Sequence, residues 1–395
     1  MTRPGGKTRS IALLVLTQIA VMSLWFTSSA ILPDMLREVA ISPRDQALLA
    51  SAVQAGFVIG ALVSAILGLS DRLDPRQFFM ACGVAAAGAN AALLIVPVGG
   101  TEAIGLRFLT GLLLAGVYPV GMKIAVGWGT ADRGLLVGLL VGALTIGAAA
   151  PHLFSFLGGA EWRVTVIAVS GIAALGALGI LLTRLGPHHA KAAAFSPRAI
   201  LVAWTNKRIR YTYFGYLGHM WELYAMWAWI GVAAAASYAA TMPLENATEL
   251  AKLTAFAAIA LGGIACVPAG AIADRIGKAQ LTIIAMVVSG AAALATAATF
   301  GGPAWITFAV VMVWGISIIP DSAQFSALVA DNGPPDLAGS LMTLQVALGF
   351  TLTILTVQMT PVLAATFGWP PILAVMAFGP AFGIYSMWRF TRLAQ

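Results

Sequence analysis

The loop GAIADRIGKAQ, residues 270–280, has a counterpart about 200 positions earlier in the same chain. That counterpart is LGLSDRLDPRQ, residues 67–77. Each loop carries an Asp-Arg pair, and the two pairs are offset by 203 residues: Asp71-Arg72 and Asp274-Arg275. A motif that recurs at a long and fixed spacing raises the question of whether the chain was built by duplication.

Two further pairs of residues support a duplication. Pro119 and Pro320 are offset by 201 residues, and Trp162 and Trp369 by 207. The three landmarks keep the same order along the chain and fall at the same ends of apolar stretches. The sequence therefore predicts one structural unit that occurs twice.

The composition is that of a membrane protein. Of 395 residues, 60% are hydrophobic and 9% are charged, against roughly a quarter charged in soluble domains. Because lipid offers backbone groups no partners, the apolar stretches must be helices, and the predicted class is an all-α polytopic membrane protein. We predict twelve transmembrane helices, the first retained rather than cleaved, near residues 11–33, 46–67, 78–98, 103–125, 134–157, 164–183, 211–235, 251–272, 280–300, 304–329, 337–360 and 370–388.

The chain divides at its longest polar connection. We predict an N-terminal six-helix bundle at 1–190, a basic cytoplasmic linker at 191–210 and a C-terminal six-helix bundle at 211–395. Glycines four residues apart predict close helix packing at Gly56 and Gly60, and along 134–142.

Lysine and arginine predict the orientation. With the N-terminus inside, 16 of these residues lie on the inner side and 4 on the outer side. We therefore expect a multi-pass protein of the cytoplasmic (inner) membrane with both termini in the cytoplasm. The net charge of +7 comes mainly from this bias, so we expect no nucleic-acid partner.

The two loops resemble the signature G-x-x-x-D-R-x-G-[RK]-[RK] of the major facilitator superfamily (MFS) of secondary transporters. The second copy matches this signature at Gly270, Asp274, Arg275, Gly277 and Lys278. The first copy keeps Asp71, Arg72 and Arg76 but has Leu67 and Asp74 where the family usually has glycine. Arg107 and Gly111 also resemble the family motif R-x-x-x-G, while 134–151 only partly resembles the family's antiporter motif.

The resemblance implies two pseudo-symmetric six-helix bundles that move by alternating access around a midplane site. It also implies that the charged residues of the two loops act as gates: Asp71, Arg72, Arg76, Asp274, Arg275 and Lys278. By the same resemblance, Arg107 is linked to proton transfer.

Ionisable residues inside a membrane span are costly and need a reason. Glu222 lies near the middle of the seventh predicted helix, and His219 lies one turn away on the same face. Desolvation disfavours the charge of Glu222 and a nearby cation favours it, so its charge could follow water access. A static buried hydrogen bond or ion pair is the alternative.

Other charged residues are further candidates for proton coupling or substrate contact. Asp34 is a plausible partner of Arg107, although snorkelling of Arg107 remains open. Lys123 and Asp321 occupy nearly equivalent repeat positions and could pair, although helix-end snorkelling remains open for Lys123.

Several uncharged or aromatic residues are candidates to line a cavity. They are Trp221 and Tyr224 of the seventh helix and, in other helices, Gln324, Gln345 and His152. Helix-to-helix contacts are the alternative for the glutamines. We expect Trp227 and Trp229 to belong to the aromatic belt at the outer membrane surface.

The sequence predicts a secondary transporter, powered by the proton gradient, that moves a small solute. A small organic anion is the first expectation for the cargo, and an antiporter exporting amphipathic drug-like or cationic compounds is the alternative. A transporter-like membrane sensor is the alternative from another class. The chain carries no enzyme motif, so we expect no enzyme, no metal and no cofactor, and a functional monomer in the lipid bilayer.

Overall fold

The computed structural model describes residues 4–129, 132–159, 161–188 and 196–393, without the side chains of Pro4, Gly5, Ser70, Asp71 and Arg133. All regular secondary structure within these ranges is helical. The chain forms two compact units, residues 1–192 and 193–395. Each unit is described by itself below.

Nine α-helices lie in the part of unit 1 that the structure describes. They are α1 (Pro4–Met22), α2 (Thr27–Glu38), α3 (Pro43–Leu67), α4 (Leu69–Arg72), α5 (Pro75–Ala91), α6 (Thr101–Leu114), α7 (Tyr118–Val126), α8 (Arg133–Leu157) and α9 (Trp162–Gly179). Short 3₁₀ turns extend α5 through Ala92–Leu94 and α9 through Ile180–Leu182.

Unit 2 also contains nine α-helices among its described residues. They are α10 (Arg198–Thr205), α11 (Lys207–Tyr238), α12 (Leu244–Ile276), α13 (Lys278–Thr299), α14 (Ala304–Ile318), α15 (Ser322–Asn332), α16 (Ala338–Phe367), α17 (Trp369–Met376) and α18 (Phe378–Arg392). The segment predicted as a linker therefore contains α10 and the first residues of α11, while 189–195 lie outside the described residues.

Eleven helical segments in the described chain are long and apolar enough to cross a membrane. The predicted seventh span corresponds to α11, which is less apolar than these eleven because polar and aromatic residues interrupt it. With 32 residues, it measures about 48 Å, which is sufficient to cross. The predicted all-α polytopic class is confirmed, and α11 supplies the twelfth candidate span.

The helices of the two units pack in the same pattern. In unit 1, α3 packs against α6, α5 against α9, and α1 against α8 and α9. In unit 2, α12 packs against α14, α13 against α17 and α18, and α11 against α16 and α18. When the helices of an interrupted span are counted together, both units pair their second span with the fourth, their third with the sixth, and their first with the fifth and sixth. The duplication predicted from the sequence is therefore visible in the packing of each unit.

The proline landmarks mark breaks in the fourth and tenth spans. The fourth span is interrupted between α6 and α7, just before Pro119, and the tenth between α14 and α15, at Pro320. Proline lacks the amide hydrogen that continues a helix, and its ring excludes the preceding turn. The first span is also interrupted, between Met22 and Thr27, without a proline in the break.

Glycine allows the second and fourth spans to cross closely in unit 1. A Cβ at Gly111 would lie 1.9 Å from the Val53 carbonyl oxygen, and a Cβ at Gly56 would lie 2.0 Å from that of Phe108. Gly60 faces the Leu112 carbonyl oxygen at 2.3 Å in the same way. The close packing predicted at Gly56 and Gly60 is therefore confirmed.

Unit 2 repeats this crossing between α12 and α14. A Cβ at Gly315 would lie 2.2 Å from the Ala258 carbonyl oxygen, and one at Gly262 would lie 2.4 Å from that of Gly315. By contrast, a Cβ at Gly134 or Gly138 would meet no described atom within 4 Å. Close packing at these two glycines was predicted from their spacing, and that prediction is wrong.

Asp74, which departs from the family signature, has a local structural role. Its carboxylate accepts the Arg76 backbone amide at 2.9 Å, which caps α5, and pairs with the Arg76 guanidinium at 2.8 Å. The Arg76 hydrogen bonds lower the pKa of Asp74 to about 2, against partial burial that raises it. The loop therefore keeps its charge at Asp74 throughout the physiological pH range.

We predict that Gly111→Ala destabilises the protein and that Gly134→Ala does not. The added methyl group at 111 would overlap the Val53 carbonyl, so the helices must separate at a cost of about 1–3 kcal/mol. The measurement is the apparent melting temperature in detergent, followed by size-exclusion chromatography. Equal melting temperatures for the two variants would contradict the close crossing.

Candidate functional site

Two neighbouring turns of α11 place His219 and Glu222 inside unit 2, each about 1% exposed. The Glu222 Oε1 atom accepts a hydrogen bond from Trp314 Nε1 at 2.7 Å, and its Oε2 atom accepts one from Ser289 Oγ at 3.0 Å. Trp314 belongs to α14 and Ser289 to α13. The carboxyl group of Glu222 therefore joins three helices through two neutral donors.

His219 approaches a second buried carboxyl group. Its Nδ1 atom lies 3.0 Å from Oδ1 of Asp321, which is also about 1% exposed. The distance suits an ion pair, but the angles do not make a hydrogen bond, and His219 Nε2 has no hydrogen-bond partner in the described chain. Tyr216 and Phe325 pack around the imidazole, with ring centroids 6.0 and 5.9 Å away.

The break in the tenth span positions both acidic groups. Trp314, which bonds Glu222, precedes the break, whereas Asp321 occupies the break and immediately precedes α15. The N-terminal end of α15 carries a partial positive charge that favours a carboxylate there. One turn of α11 is thus held from both sides of a discontinuous helix. We call Glu222, His219, Asp321, Trp314 and Ser289 the acidic cluster.

Neither carboxyl group of the acidic cluster pairs with lysine or arginine among the described residues of unit 2. This matters because an ionised carboxyl group buried without a cation is costly. Lys123 lies half-buried on α7 of unit 1, and its predicted pairing with Asp321 stays a prediction.

Arg107 forms a separate buried network in unit 1. Its guanidinium donates to Asn90 Oδ1 at 2.7 Å and to the carbonyl oxygens of Leu24 and Trp25 at 2.8 and 2.6 Å. Those carbonyls lie in the break of the first span, where helical hydrogen bonds are interrupted. Asn90 in turn donates to Ser170 Oγ at 2.9 Å. Arg107 therefore donates to two carbonyls of the break, and the Leu24 carbonyl accepts from Thr27 Oγ1 at 3.2 Å as well.

Asp34 is not the partner of Arg107 that the sequence suggested. Its Oδ2 atom accepts from Ser155 Oγ at 3.3 Å, and its Oδ1 atom lies 4.0 Å from Arg37 Nε. The sequence shows only that both residues lie near the outer ends of spans. It does not show that the carbonyls of an interrupted helix take the guanidinium.

His152 is buried on α8, one turn from Ser155, and its Nε2 atom has no hydrogen-bond partner in the described chain. Gln345 is also buried, and both of its amide atoms lack a partner there. Gln324 is 7% exposed on α15. These three residues remain candidates for contact with a solute.

The aromatic residues of α11 do not form one lining. The Trp221 Nε1 atom donates to the Val375 carbonyl oxygen at 3.3 Å, while Tyr224 packs on Phe350 with ring centroids 5.1 Å apart. Trp227 and Trp229 are each 1% exposed, so their expected place in a surface belt is wrong. Sequence position alone put them near a helix end, but α11 extends beyond them to Tyr238.

The predicted gate residues lie at one end of their helices. Lys278 pairs with Asp331 at the end of α15, which links two helices of unit 2. Gly277, between α12 and α13, has φ +95°, a conformation that favours glycine. Arg72 and Arg275 are exposed, and Asp274 lies in the last turn of α12. The Asp71 side chain lies outside the described residues.

Sequence reasoning missed Trp314 and Ser289, which hydrogen-bond Glu222, and Asn90, which hydrogen-bonds Arg107 and Ser170. Tryptophan and serine are common in this chain, so no local pattern distinguishes Trp314 and Ser289, whereas a lone asparagine in an apolar span was a signal that could have been used. No group of three or more His, Cys, Asp or Glu in the described part of the chain is arranged to hold a metal.

Two six-span units with interrupted helices and buried charged side chains define the class of a polytopic membrane protein. A family model described as the Major Facilitator Superfamily matches residues 14–352. The chain therefore belongs to the major facilitator superfamily. Among curated protein sequences, none matches the chain.

Solved structures show the same fold. A mutant of the nucleoside transporter NupG has a TM-score of 0.73 at 14% identity, covering 97% of this chain and 99% of that chain. A bacterial homolog of the human lysosomal transporter Spinster, inward-facing and unoccupied, has 0.79 at 11%, covering 99% of both. The D-xylose-proton symporter has 0.75 at 14%, covering 96% and 97%. At these identities the likeness establishes the fold alone.

We predict that Arg107→Gln lowers the apparent melting temperature strongly, whereas Arg44→Gln leaves it unchanged. The first change removes two charge-assisted hydrogen bonds to the Leu24 and Trp25 carbonyls, at a cost of about 3 kcal/mol or more, although Thr27 Oγ1 still donates to the Leu24 carbonyl at 3.2 Å. Arg44 is exposed and serves as the matched control. A stable Arg107→Gln protein that lost proton coupling would contradict the structural role and support the proton-transfer role that the family motif implies.

Proposed function

We propose that this chain is a proton-coupled secondary transporter and that Glu222 carries the coupling proton. The observation that supports the proposal is the environment of Glu222. Its carboxyl group is buried in a span and held by two neutral donors, Trp314 and Ser289, with no cation beside it among the residues described in unit 2.

Such a carboxyl group responds to water. While it is shielded, ionisation leaves a charge in a low-dielectric site, which is unfavourable. When a conformational change admits water or a cation, the ionised form gains solvation and the proton leaves. The access of water to Glu222 and the charge of its carboxyl group are thereby coupled, as a proton-driven transporter requires.

His219 and Asp321 form the second part of the proposed mechanism. His219 lies one helical turn from Glu222 along α11, and with Asp321, just before α15, it offers a second site at which a proton could rest. Nδ1 of His219 and Oδ1 of Asp321 lie 3.0 Å apart without hydrogen-bond geometry. A small movement of α15 would therefore either form a hydrogen bond between them or separate them. Movement at the break would then change where the proton rests.

The cargo that the cluster favours is a cationic or amphipathic compound exchanged for protons. The organic anion expected first from the sequence rested on a slight excess of Arg107, Lys123, His152 and His219 over Glu222 and Asp321. Arg107 is engaged by three neutral acceptors, and His219 faces Asp321. The described residues of the acidic cluster therefore carry no excess of cations to attract an anion, so we place the cationic cargo first and keep the anion as the alternative.

The remaining assignments complete the proposal. The protein works as a monomer in the cytoplasmic membrane, with both termini inside and the proton gradient as its only energy source. Arg72, Arg76, Asp274, Arg275 and Lys278 gate the cytoplasmic side, and the Lys278–Asp331 pair is one contact that such a gate would break.

We predict that Glu222→Gln abolishes accumulation of cargo driven by a pH gradient in proteoliposomes but keeps exchange of cargo across the membrane at equal pH. Glutamine keeps the size of the side chain but cannot carry a proton. A panel of cationic and anionic solutes identifies the cargo through exchange in the wild type.

Glu38→Gln is the matched control, because Glu38 is partly exposed and paired with Arg163 at 2.7 Å. This control is expected to retain gradient-driven accumulation. Normal coupling in Glu222→Gln would contradict the proposed role of Glu222.

A further inference from the structure

Unit 2 carries a group of arginines and aromatic rings where α11 begins and α18 ends. Arg389 lies 5.6 Å from the Tyr211 ring centroid and 5.9 Å from that of Tyr385, and it donates to the Tyr385 hydroxyl at 3.0 Å. Arg210 lies 6.0 Å from the same Tyr211 ring. We call Arg210, Arg389, Tyr211 and Tyr385, together with the adjacent pair described next, the basic-aromatic patch.

The adjacent pair is Arg392 and Trp388, with the guanidinium 4.7 Å from the indole centroid. Both side chains are exposed, as are Arg389 and Tyr385. The patch therefore presents three guanidinium groups held against aromatic rings, a geometry that orients the charges without neutralising them.

None of the three arginines makes an ion pair with an Asp or Glu in the described chain. The first turn of α11 contains no acidic residue either, although cations at that end oppose the helix dipole. Like charges gathered without counter-charge repel one another, so their arrangement calls for an anion from outside the chain.

Helix α10 indicates where that anion lies. Ala199 and Ala203 are fully buried on one side of α10, while Ile200, Leu201 and Trp204 are 46%, 64% and 44% exposed. Eight residues measure about 12 Å, too short to span a membrane. A short helix with one exposed apolar face beside basic residues is typical of the membrane interface.

The structure joins α10 to the patch. Arg210 donates to the Trp204 carbonyl oxygen at 3.1 Å, and the Trp204 ring packs on Phe214 with centroids 6.1 Å apart. The apolar face of α10 and the arginines of the patch therefore belong to one continuous surface of unit 2.

We propose that the basic-aromatic patch binds the headgroup phosphate of an anionic phospholipid, with α10 anchored among the acyl chains beside it. Guanidinium groups bind phosphate oxygens through charge-assisted hydrogen bonds. Anionic lipids are attracted to basic clusters at the ends of membrane helices, whereas a zwitterionic headgroup brings its own cation. The site is independent of the acidic cluster and of the proposed transport mechanism.

The test uses the full-length protein and native mass spectrometry in detergent with added phosphatidylglycerol or phosphatidylcholine. We expect the wild type to retain phosphatidylglycerol preferentially. Arg210→Gln/Arg389→Gln should lower the apparent affinity for phosphatidylglycerol roughly 30-fold, since each basic residue near the surface contributes about one kcal/mol.

Two controls keep the test decisive. Arg72→Gln/Arg275→Gln removes the same charge from the same predicted side of the membrane and should retain the lipid. Arg210→Lys/Arg389→Lys keeps the charge and should retain most of the phosphatidylglycerol even if the glutamine variant folds poorly.

Three results would overturn the proposal. They are equal retention of both lipids by the wild type, unchanged phosphatidylglycerol affinity in the Arg210→Gln/Arg389→Gln protein, and displacement of the lipid by millimolar inorganic phosphate. The first two would leave the arginines as markers of topology, and the third would make the patch a site for a free anion.

Discussion

Hydrocarbon offers no hydrogen-bond partner, and that constraint governs the polar groups buried within the spans of this protein. Where a helix is interrupted, its free carbonyls must find a donor inside the protein. Arg107 supplies that donor at the break of the first span. The constraint therefore explains a buried guanidinium that pairs with no carboxylate in the described part of the chain.

The same constraint applies to the carboxyl groups of the acidic cluster. Breaking the tenth span at Pro320 places Asp321 at the start of a helix and Trp314 just before the break, and α11 inserts Glu222 and His219 between them. An unpaired carboxyl group in such a place is tolerated only if a proton or a cation can compensate it. The two units thus use their helix breaks differently: unit 1 places a guanidinium against neutral acceptors, and unit 2 places two carboxyl groups and an imidazole beside its break.

The fold was largely predictable because lipid leaves the chain few choices. Apolar stretches predicted the spans, and repeated landmarks such as Pro119 and Pro320 predicted the duplication that the packing shows. The residue types of the candidate site were also predictable, since Glu222, His219 and Asp321 are conspicuous in an apolar chain. The hydrogen-bond partners of Glu222 were not, because Trp314 and Ser289 come from other helices and have no local signature.

The incorrect expectations share a physical cause. Asp34 with Arg107, and Trp227 and Trp229 at the surface, were inferred from depth along a single helix, which does not specify what a side chain faces. Glycine spacing failed at Gly134 and Gly138 for the same reason. The depth of a residue in the membrane follows from its position in one helix. What its side chain contacts depends on how several helices pack.

The central claim, that Glu222 holds the exchangeable proton, is tested most directly by infrared difference spectroscopy of the reconstituted protein between neutral and alkaline pH. The account predicts that the wild type loses a carbonyl stretch characteristic of a protonated carboxylic acid. Glu222→Gln should lack that component, and Glu38→Gln should keep it. An unchanged band in Glu222→Gln, or no such band in the wild type, would contradict the account.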